Sequence, residues 1–512
     1  MLTGRHAFKH DPNAVILVFV PRRRNVAETA ARIRDITPRV KNITVRALNS
    51  PSDFEGFAAA NRIIAVTTPA LFLQVDNAVQ SRGLQKTSLL VLEDLHLLDE
   101  LYELAVTRIL SYTRPARTRL VGITSSLNDP SDLGDWLGVD PSWRYTFYPR
   151  DRGNPIIVSV KTFTLSHSAT LLKAMVKPAY DIVKSSTTGT IVFVPSRAAC
   201  KTVAKDMVTQ SGTEMDLNGF LSASREDVEP LLTRLRDEGL YEPLLHGIGY
   251  IVPNSAPTDL ALVLELFASG ILRTLIVPRE SCWTLPVRGS TVVLMGAQYV
   301  QMTGTDRAER RVVSYSRTEL VRMQGFAVPS ASHLASGGRM FVMCQAEQGM
   351  TISRVLNDGL PLESSFPALL RRQSSSAAVS ALERMLKYRP PPPPPQINRR
   401  RVPDLRKRDL MDLIGWTYFA KRASSNPTYY DIHRGQEAET ISRLIDQWVR
   451  GGGEEFAPVP SVRERPPKST TGNGKVKGGE AEHGTAVVAK GEAAASEEGV
   501  EREGGDGVDD WA

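Results

Sequence analysis

The stretch LLVLEDLHLL, Leu89 to Leu98, decides the fold class. Its apolar half, Leu89 to Leu92, has the composition of a strand that is buried on both faces, as in a parallel sheet. Such a strand carries Glu93, Asp94 and His96 to its carboxyl end, where open α/β sheets bind their ligands. A carboxylate pair at this edge suits the Mg²⁺ of a nucleotide and an attacking water. The pattern predicts an α/β fold in which Glu93, Asp94 and His96 are candidates for catalysis, and Glu93 and Asp94 also for metal binding.

The usual partner of such a carboxylate pair is a glycine-rich loop that ends in Lys-Ser/Thr. The amides and the lysine of that loop hold the phosphates. Within these 512 residues no sequence of that form precedes Glu93, and Gly474-Lys475, far downstream, lacks the hydroxyl residue. Half of an ATP site is therefore recognisable in the sequence.

Apolar, strand-like segments alternate with helix-like segments from residue 15 onward. Asn25, with Glu28 three residues later, predicts an N-cap after the first strand, and Asp99 to Ser111 has the pattern of an amphipathic helix. This alternation predicts two doubly wound sheets with parallel cores and a ligand cleft between them. The predicted strands are Val15 to Val20, Ile43 to Leu48, Arg62 to Val66, Leu89 to Leu92 and Leu120 to Thr124, and after Asn154 come Thr190 to Val194, Leu275 to Val277, Thr291 to Met295 and Met340 to Cys344.

The formal net charge of +7 is unevenly distributed. Residues 451–512 hold 13 acidic and 7 basic side chains, a local charge of −6, so the first 450 residues carry about +13. This excess favours an acidic partner, with nucleic acid as the first candidate and a merely soluble basic protein as the alternative. Cys200, Cys282 and Cys344 are too scattered for a disulfide framework or a zinc site, which predicts a reducing, intracellular compartment. No apolar run reaches membrane-spanning length.

The C-terminal third changes character. The segment 390–408 contains six prolines, Pro390 to Pro395, and two basic clusters, Arg399 to Arg401 and Arg406 to Arg408. It is predicted to be a solvated spacer. The alternative is that its basic clusters contact phosphates or form a nuclear localisation signal. Two helices are predicted beyond this spacer, and a Gly- and Glu-rich tail from Gly451 is predicted to be disordered. The first helix carries Leu410, Leu413, Ile414 and Tyr418 on one face and stops at Asn426-Pro427, and the second carries Ile441, Leu444, Ile445 and Trp448. Trp416, Tyr418 and Trp448 are predicted to belong to the core.

Taken together, these segments resemble the spliceosomal DExH-box RNA helicases that carry two cassettes in tandem, and most closely their C-terminal cassette. The resemblance covers about residues 15–350 and 405–450, in family order. The segments that carry it are VLEDLHLL, RLVGITSSLNDPSDLGDWLGV (119–139), LSHSATLLKAMVKPAY (165–180), TIVFVPSR (190–197), LLHGIGY (244–250), LELFASGILRTLIVPRESCW (264–283) and GWTYFAKRASSNPTYYDI (415–432).

The resemblance implies two RecA-like doubly wound parallel sheets followed by a winged helix and a disordered tail. Residues 1–150 would form a truncated first RecA-like domain without the phosphate loop, and residues 151–345 the second. Residues 346–404 would be a connector with the spacer, 405–450 a winged-helix remnant and 451–512 the tail. In the family the phosphate-loop strand lies centrally in the first sheet. The strands of this chain are therefore expected to flank an empty position, as in a truncated gene product.

The family's functional positions carry over residue by residue. Asp94 and Glu93 stand at the Mg²⁺ carboxylate and the catalytic glutamate, but in reversed order, and misplacement by about 1 Å can cost on the order of a hundredfold in rate. The segment Thr124, Ser125 and Ser126 would couple ATP to RNA. The RNA-contacting positions would be Thr68, Pro69, Ser196, Arg197 and Arg279. ATP and Mg²⁺ are the cofactors that the resemblance implies.

The largest departure is RMQGFAVPSA, Arg322 to Ala331. Here the family has two arginines that reach the γ-phosphate, and this chain has Phe326 and Pro329. An arginine at such a site contributes roughly 10³ to 10⁵ in rate. The paired histidines of the family's second-domain loop are likewise Ile251 and Val252.

Three hypotheses about function follow. The first is a nuclear, catalytically impaired helicase-like module that binds nucleotide and, weakly, the RNA backbone. It would act as a scaffold for spliceosomal proteins or a second helicase cassette. The second is part of an active ATP-dependent RNA helicase whose phosphate loop is encoded upstream, and the third is a plain RNA-binding winged-helix protein.

Overall fold

The computed structural model describes residues 7–450, except 12, 38–41, 114–117, 166, 187, 216–218, 253–254, 304–308, 329–336, 372 and 388–404. The polyproline segment, the Arg399 to Arg401 cluster, Pro329 and the tail thus lie outside the described residues. All three cysteines are buried and free. None of the described helices is long and apolar enough to span a membrane.

The first sheet has five parallel strands in the order β2-β3-β1-β4-β5. Apolar runs form the inner strands: every residue of β1 and β3 is buried, as two-sided burial in an α/β sheet requires. The strands are β1 (Val15–Phe19), β2 (Thr44–Ala47), β3 (Ile63–Thr67), β4 (Thr87–Leu92) and β5 (Arg119–Gly122), and the helices are α1 (Arg23–Ile36), α2 (Asp53–Ala59), α3 (Pro69–Phe72), α4 (Asn77–Lys86), α5 (Glu100–Thr113) and α6 (Ser131–Leu137).

The second sheet has six parallel strands in the order β6-β13-β10-β7-β9-β8. A two-stranded antiparallel ribbon, β11-β12, follows β10. The strands are β6 (Ile156–Phe163), β7 (Thr190–Val194), β8 (Ile248–Tyr250), β9 (Thr274–Pro278), β10 (Thr291–Met295), β11 (Gln298–Thr303), β12 (Glu309–Ser314) and β13 (Gly338–Gln345), and the helices are α7 (Ser168–Ser185), α8 (Arg197–Thr213), α9 (Arg225–Leu232), α10 (Tyr241–Leu245), α11 (Pro257–Ala268) and α12 (Arg317–Gln324). Two parallel sheets confirm the predicted fold class.

The C-terminal helices pack on the first sheet and share its core, which includes Phe366, Phe419 and Trp448. The Trp136 indole N–H of α6 donates to the Trp416 carbonyl at 2.8 Å, and the Arg422 guanidinium binds both Asp132 and Glu363. The helix α13 (Ala346–Asp358) packs on β6 and β13 of the second sheet. The helices on the first sheet are α14 (Phe366–Leu370), α15 (Ser376–Lys387), α16 (Leu405–Ile414), α17 (Tyr418–Ser425) and α18 (Glu437–Arg450). The described residues of 405–450 contain helices and no strand, so the winged helix stays a prediction.

Three sequence expectations are wrong. Asn25 is not an N-cap, because α1 begins at Arg23 with Arg22 before it. The helix predicted through Leu410 and Tyr418 is two helices, α16 and α17, because Thr417 caps a new one by accepting from the Ala420 N–H at 3.2 Å. The described strands of the first sheet do not flank an empty position, because they are paired in an unbroken series with β1 between β3 and β4.

Candidate functional site

The predicted site residues of the first sheet follow the carboxyl ends of its strands. Glu93 follows β4, and its N–H donates to the Phe19 carbonyl of β1 at 2.9 Å. Asp94 turns the chain sharply, with φ of 52°, a left-handed conformation that aspartate tolerates better than most residues. Burial, and then the neighbouring Asp94 charge, raise the pKa of the Glu93 carboxyl, while Arg32 opposes this shift. The two carboxylates are thus adjacent, and burial and mutual repulsion act on Glu93 in the same direction.

His96 links the carboxylate turn to the segment after β5. The Ser125 N–H donates to His96 Nδ1 at 3.1 Å, and the Ser125 hydroxyl lies 3.3 Å from Nε2. Nδ1 is therefore the acceptor, so the neutral ring carries its proton on Nε2. Burial lowers the pKa of His96, which favours this neutral form. The structure thus brings the acidic turn and the predicted coupling segment together.

Thr68 and Pro69 start α3 at the end of β3. The Thr68 hydroxyl caps this helix by accepting from the Leu71 N–H at 3.2 Å. Thr68 also borders a small cavity with Arg23 and Asn49, at the carboxyl ends of neighbouring strands. Thr68 and Pro69 therefore have a structural role in the described chain, and contact with RNA stays a prediction.

The predicted residues of the second sheet are already engaged with other side chains. Ser196 caps α8 by accepting from the Ala199 N–H at 3.2 Å. The Arg197 guanidinium lies 2.5 Å from a Glu280 carboxylate oxygen. Arg279 binds Glu319 and stacks on the Tyr299 ring, 3.8 Å from its centroid. Arg279 is thus held by an acid and a ring, whereas the more exposed Arg197 pair is easily exchanged for a phosphate.

A cleft of about 790 Å³ lies between the two sheets. The coupling segment Thr124 to Ser126 lines one wall, and Phe147, Phe326 and Gly325 line others. Four guanidinium side chains border the cleft against two carboxylates: Arg32, Arg152, Arg288 and Arg322, with Glu28 and Asp151. The wall is therefore net positive and suits an anionic group.

A stack of cationic side chains on Trp283 joins the two sheets. The Arg22 guanidinium, from the loop after β1, lies 3.6 Å from the Trp283 ring centroid. Arg322 approaches the same ring at 5.7 Å and donates to the Cys282 carbonyl at 3.2 Å. Burial, followed by the Arg24 charge, lowers the pKa of Arg22. Trp283 ends the segment 264–283 that the family resemblance identified, but sequence reasoning missed Arg22, because its partner is far away in the chain.

Phe326 is the residue for which the family resemblance predicted a cleft arginine. Its side chain is only 7% exposed, and its ring packs on Phe193 of β7 at 5.7 Å between centroids. It borders the cleft as an apolar wall. The described residues contain no group of three or more His, Cys, Asp or Glu side chains that could hold a metal ion by themselves. The carboxylates of Glu93 and Asp94 would therefore need oxygen atoms of a bound nucleotide to complete a Mg²⁺ shell.

Several known proteins are similar to this chain. No family model matches the chain. It is 30% identical over 377 residues to the pre-mRNA-splicing factor brr2 of Schizosaccharomyces pombe, which covers 71% of this chain and 16% of that protein. It is 27% identical over 380 residues to the U5 small nuclear ribonucleoprotein 200 kDa helicase of Homo sapiens, covering 72% of this chain and 16% of the relative.

A plant relative and one solved structure extend the comparison. The chain is 26% identical over 383 residues to the DExH-box ATP-dependent RNA helicase DExH12 of Arabidopsis thaliana, covering 72% of this chain and 16% of that protein. The solved structure of the DUF1998 helicase MrfA bound to DNA has a TM-score of 0.49 at 12% identity, covering 75% of this chain and 47% of that one. The chain thus spans about a sixth of the curated relatives' length. Over that stretch it is homologous to the spliceosomal DExH-box RNA helicases, and the match is consistent with part of their C-terminal cassette.

Proposed function

We propose that this chain is a catalytically impaired RNA-helicase module that acts as a protein-binding scaffold in pre-mRNA splicing, in the nucleus. One observation carries the proposal: Phe326, to which the resemblance assigns the position of an arginine that reaches the γ-phosphate, is an apolar ring buried against Phe193. An apolar ring supplies no charge to a phosphoryl transition state, whereas an arginine contributes roughly 10³ to 10⁵ in rate.

The acidic turn supports the same proposal. Glu93 and Asp94 stand in reversed order relative to the family, and misplacement of a reacting group by about 1 Å can cost on the order of a hundredfold in rate. Asp94 and Glu93 would hold Mg²⁺ if a nucleotide binds, and the ion would then neutralise phosphate charge. His96 and Ser125 would keep the acidic turn in register with the segment Thr124 to Ser126.

RNA binding in this proposal is weak, directed to the RNA backbone and independent of ATP. The basic excess of residues 1–450 supplies the attraction, since phosphate neutralisation releases counterions and needs no specific base contact. The cleft arginines and Arg197 are the candidate contacts, with the spliceosomal proteins of the relatives as the class of protein partner.

Fluorescence anisotropy with a labelled single-stranded RNA tests this proposal on the full chain. We expect the same affinity without nucleotide, with ATP and with a non-hydrolysable analogue, and a steep loss of affinity with salt. An Arg197→Gln variant should bind more weakly, whereas Arg310→Gln, on the exposed ribbon β11-β12, is a charge-matched control. An affinity that switches between the nucleotide states would overturn the proposal in favour of an active helicase.

The alternative function is part of an active ATP-dependent RNA helicase. The intact contact between His96 and Ser125 favours it, because it links the acidic turn to the coupling segment. A coding sequence before Met1 that supplies a glycine-rich loop ending in Lys-Ser/Thr would distinguish this alternative. The third hypothesis, a plain RNA-binding winged-helix protein, requires residues 405–450 to account for the RNA affinity by themselves.

A further inference from the structure

Two tetrapeptides of the chain place a pair of adjacent basic residues before a serine, with one residue between the pair and the serine. They are Arg-Arg-Gln-Ser at residues 371–374 and Lys-Arg-Ala-Ser at residues 421–424. A protein kinase with an acidic substrate groove recognises this charge pattern. The two tetrapeptides are equivalent in charge, but their surroundings in the folded chain differ.

The second tetrapeptide belongs to helix α17, and its arginine is already bound. The Arg422 side chain is only 13% exposed and forms ion pairs with both Asp132 and Glu363. The Ser424 hydroxyl donates to the Ala420 carbonyl of the same helix at 3.4 Å. A kinase that binds this segment has to unfold the helix and separate largely buried charges, which is costly. Ser424 is therefore protected in the folded chain.

The first tetrapeptide lies between α14 and α15. Arg371 and Gln373 are exposed, and residues 373–375 belong to no helix or strand. The Ser374 hydroxyl is half-buried and donates to a Glu100 carboxylate oxygen of α5 at 3.2 Å. This hydrogen bond has to open before a kinase reaches the hydroxyl, but no helix and no ion pair of Ser374 has to break. Exposed turns of this kind are the segments that modifying enzymes reach most easily.

Glu100 makes this position sensitive to added negative charge. It is the first residue of α5 and follows Asp99, whose carboxylate accepts from the Tyr102 N–H at 2.7 Å. Two acidic residues thus already occupy this helix terminus. A phosphate on Ser374 carries roughly −1.5 to −2 charges and offers acceptor oxygens in place of the hydroxyl donor, so next to a carboxylate it is repelled.

We propose that Ser374 is a phosphorylation site for a protein kinase that prefers basic substrates, and that its phosphate weakens the packing of helix α15 on the first sheet. In the reaction the Ser374 Oγ attacks the γ-phosphorus of kinase-bound ATP. The new P–O bond forms as the bond to ADP breaks, and the hydroxyl proton passes to the catalytic base of the kinase. Helix α15 begins two residues after Ser374 and packs on α5, so repulsion from Glu100 acts where the two helices meet.

Phosphorylation of the full folded chain in vitro tests the assignment. The probe is ATP with the catalytic subunit of cyclic-AMP-dependent protein kinase, a kinase that prefers two arginines before its serine, and tandem mass spectrometry locates the phosphate. We expect phosphate on Ser374 and none on Ser424. Synthetic peptides of residues 366–380 and 416–430 should both be phosphorylated, because neither has the folded surroundings of its serine.

Variants identify the modified residue. Ser374→Ala should remove the phosphopeptide from the folded chain, and Arg371→Gln should slow its formation. Ser380→Ala is the matched control, because this exposed serine of α15 has no basic pair before it. Phosphate on Ser375 or Ser424 in place of Ser374, or no phosphate on the folded chain, would overturn the assignment.

Urea denaturation of the phosphorylated and unmodified chains measures the consequence. Phosphorylation should raise the unfolding equilibrium constant roughly tenfold, because it removes a hydrogen bond to a charged group and adds repulsion. Ser374→Ala removes the hydrogen bond without adding charge, so it should be less destabilising than the phosphate. In a Glu100→Gln chain, phosphorylation should change the urea midpoint little. Equal destabilisation with and without the Glu100 carboxylate, or none in either chain, would overturn the proposed effect. RNA and nucleotide take no part in these measurements, so a negative result leaves the proposed function to its own assays.

Discussion

Glu103 of α5 is a fully buried carboxylate whose hydrogen bonds connect the C-terminal part of the chain to the first sheet. It accepts from the Ser364 hydroxyl at 2.6 Å and from the Phe419 N–H at 2.8 Å. Burial raises the pKa of Glu103 from an ordinary value of 4.5 to about 7. A Glu103→Gln variant keeps the shape of the protonated acid and removes its titration.

The sign of the pH dependence follows from this shift. Between pH 4.5 and 7 the folded chain holds the Glu103 proton and the unfolded chain releases it, so stability falls as the pH rises through this window. At 1.36 kcal/mol per pH unit, the shift corresponds to about 3 kcal/mol. Above pH 7 the Gln variant should be more stable than the parent chain by about this amount, and at pH 4.5 or below the two should be equal.

Urea denaturation, followed by tryptophan fluorescence, measures this difference, since Trp136 and Trp448 lie in the same core. Comparing the two proteins at each pH cancels the titration of every other group. A Glu103→Ala variant should lose stability at all pH values, because it leaves the Phe419 N–H buried without an acceptor. A parent chain that gains stability over the Gln variant between pH 5 and 7 would refute the reasoning.

Three further perturbations give graded results. Arg422→Lys should lower the free energy of unfolding by about 2–3 kcal/mol, because it breaks a largely buried ion pair with Asp132 and Glu363. Lys421→Ala is the control: it breaks an exposed ion pair and should change the urea midpoint little. Arg22→Gln should weaken the contact between the two sheets by about 1 kcal/mol, because it removes the cation–π contact with Trp283. Spin labels on the two sheets should then show a broader distance distribution. An unchanged distribution would show that this contact does not hold the sheets together. Changing Arg399, Arg400 and Arg401 to Ala should reduce the log–log salt slope of RNA affinity by about 2; an unchanged slope would remove the spacer from the RNA-binding surface.

The fold class could be predicted because it depends on local pattern. Runs such as Val15 to Phe19 are apolar throughout, and in the structure each forms a buried inner strand. The order of the strands could not be predicted in the same way. The family resemblance suggested a gap among the strands, but the five described strands are hydrogen-bonded in an unbroken series, with β1 between β3 and β4. Only the assembled sheet shows this order.

The site was predictable where its residues follow strand ends, as Glu93, Ser125 and Ser196 do. It was not predictable where distant residues meet. Glu103 looks like a solvated helix residue in the sequence, yet its partners Ser364 and Phe419 lie 261 and 316 positions away. The contact between Arg22 and Trp283 was unpredictable for the same reason: the residues around each of them in the sequence do not indicate this contact.

Steady-state ATP turnover by the purified full chain, with saturating RNA, tests the central claim most directly. The proposal of an impaired cassette predicts turnover no faster than the no-protein background, unchanged by Asp94→Ala, because Phe326 offers no charge to the γ-phosphate. RNA-stimulated turnover that Asp94→Ala abolishes would contradict it and would establish an active ATPase at the β4 edge.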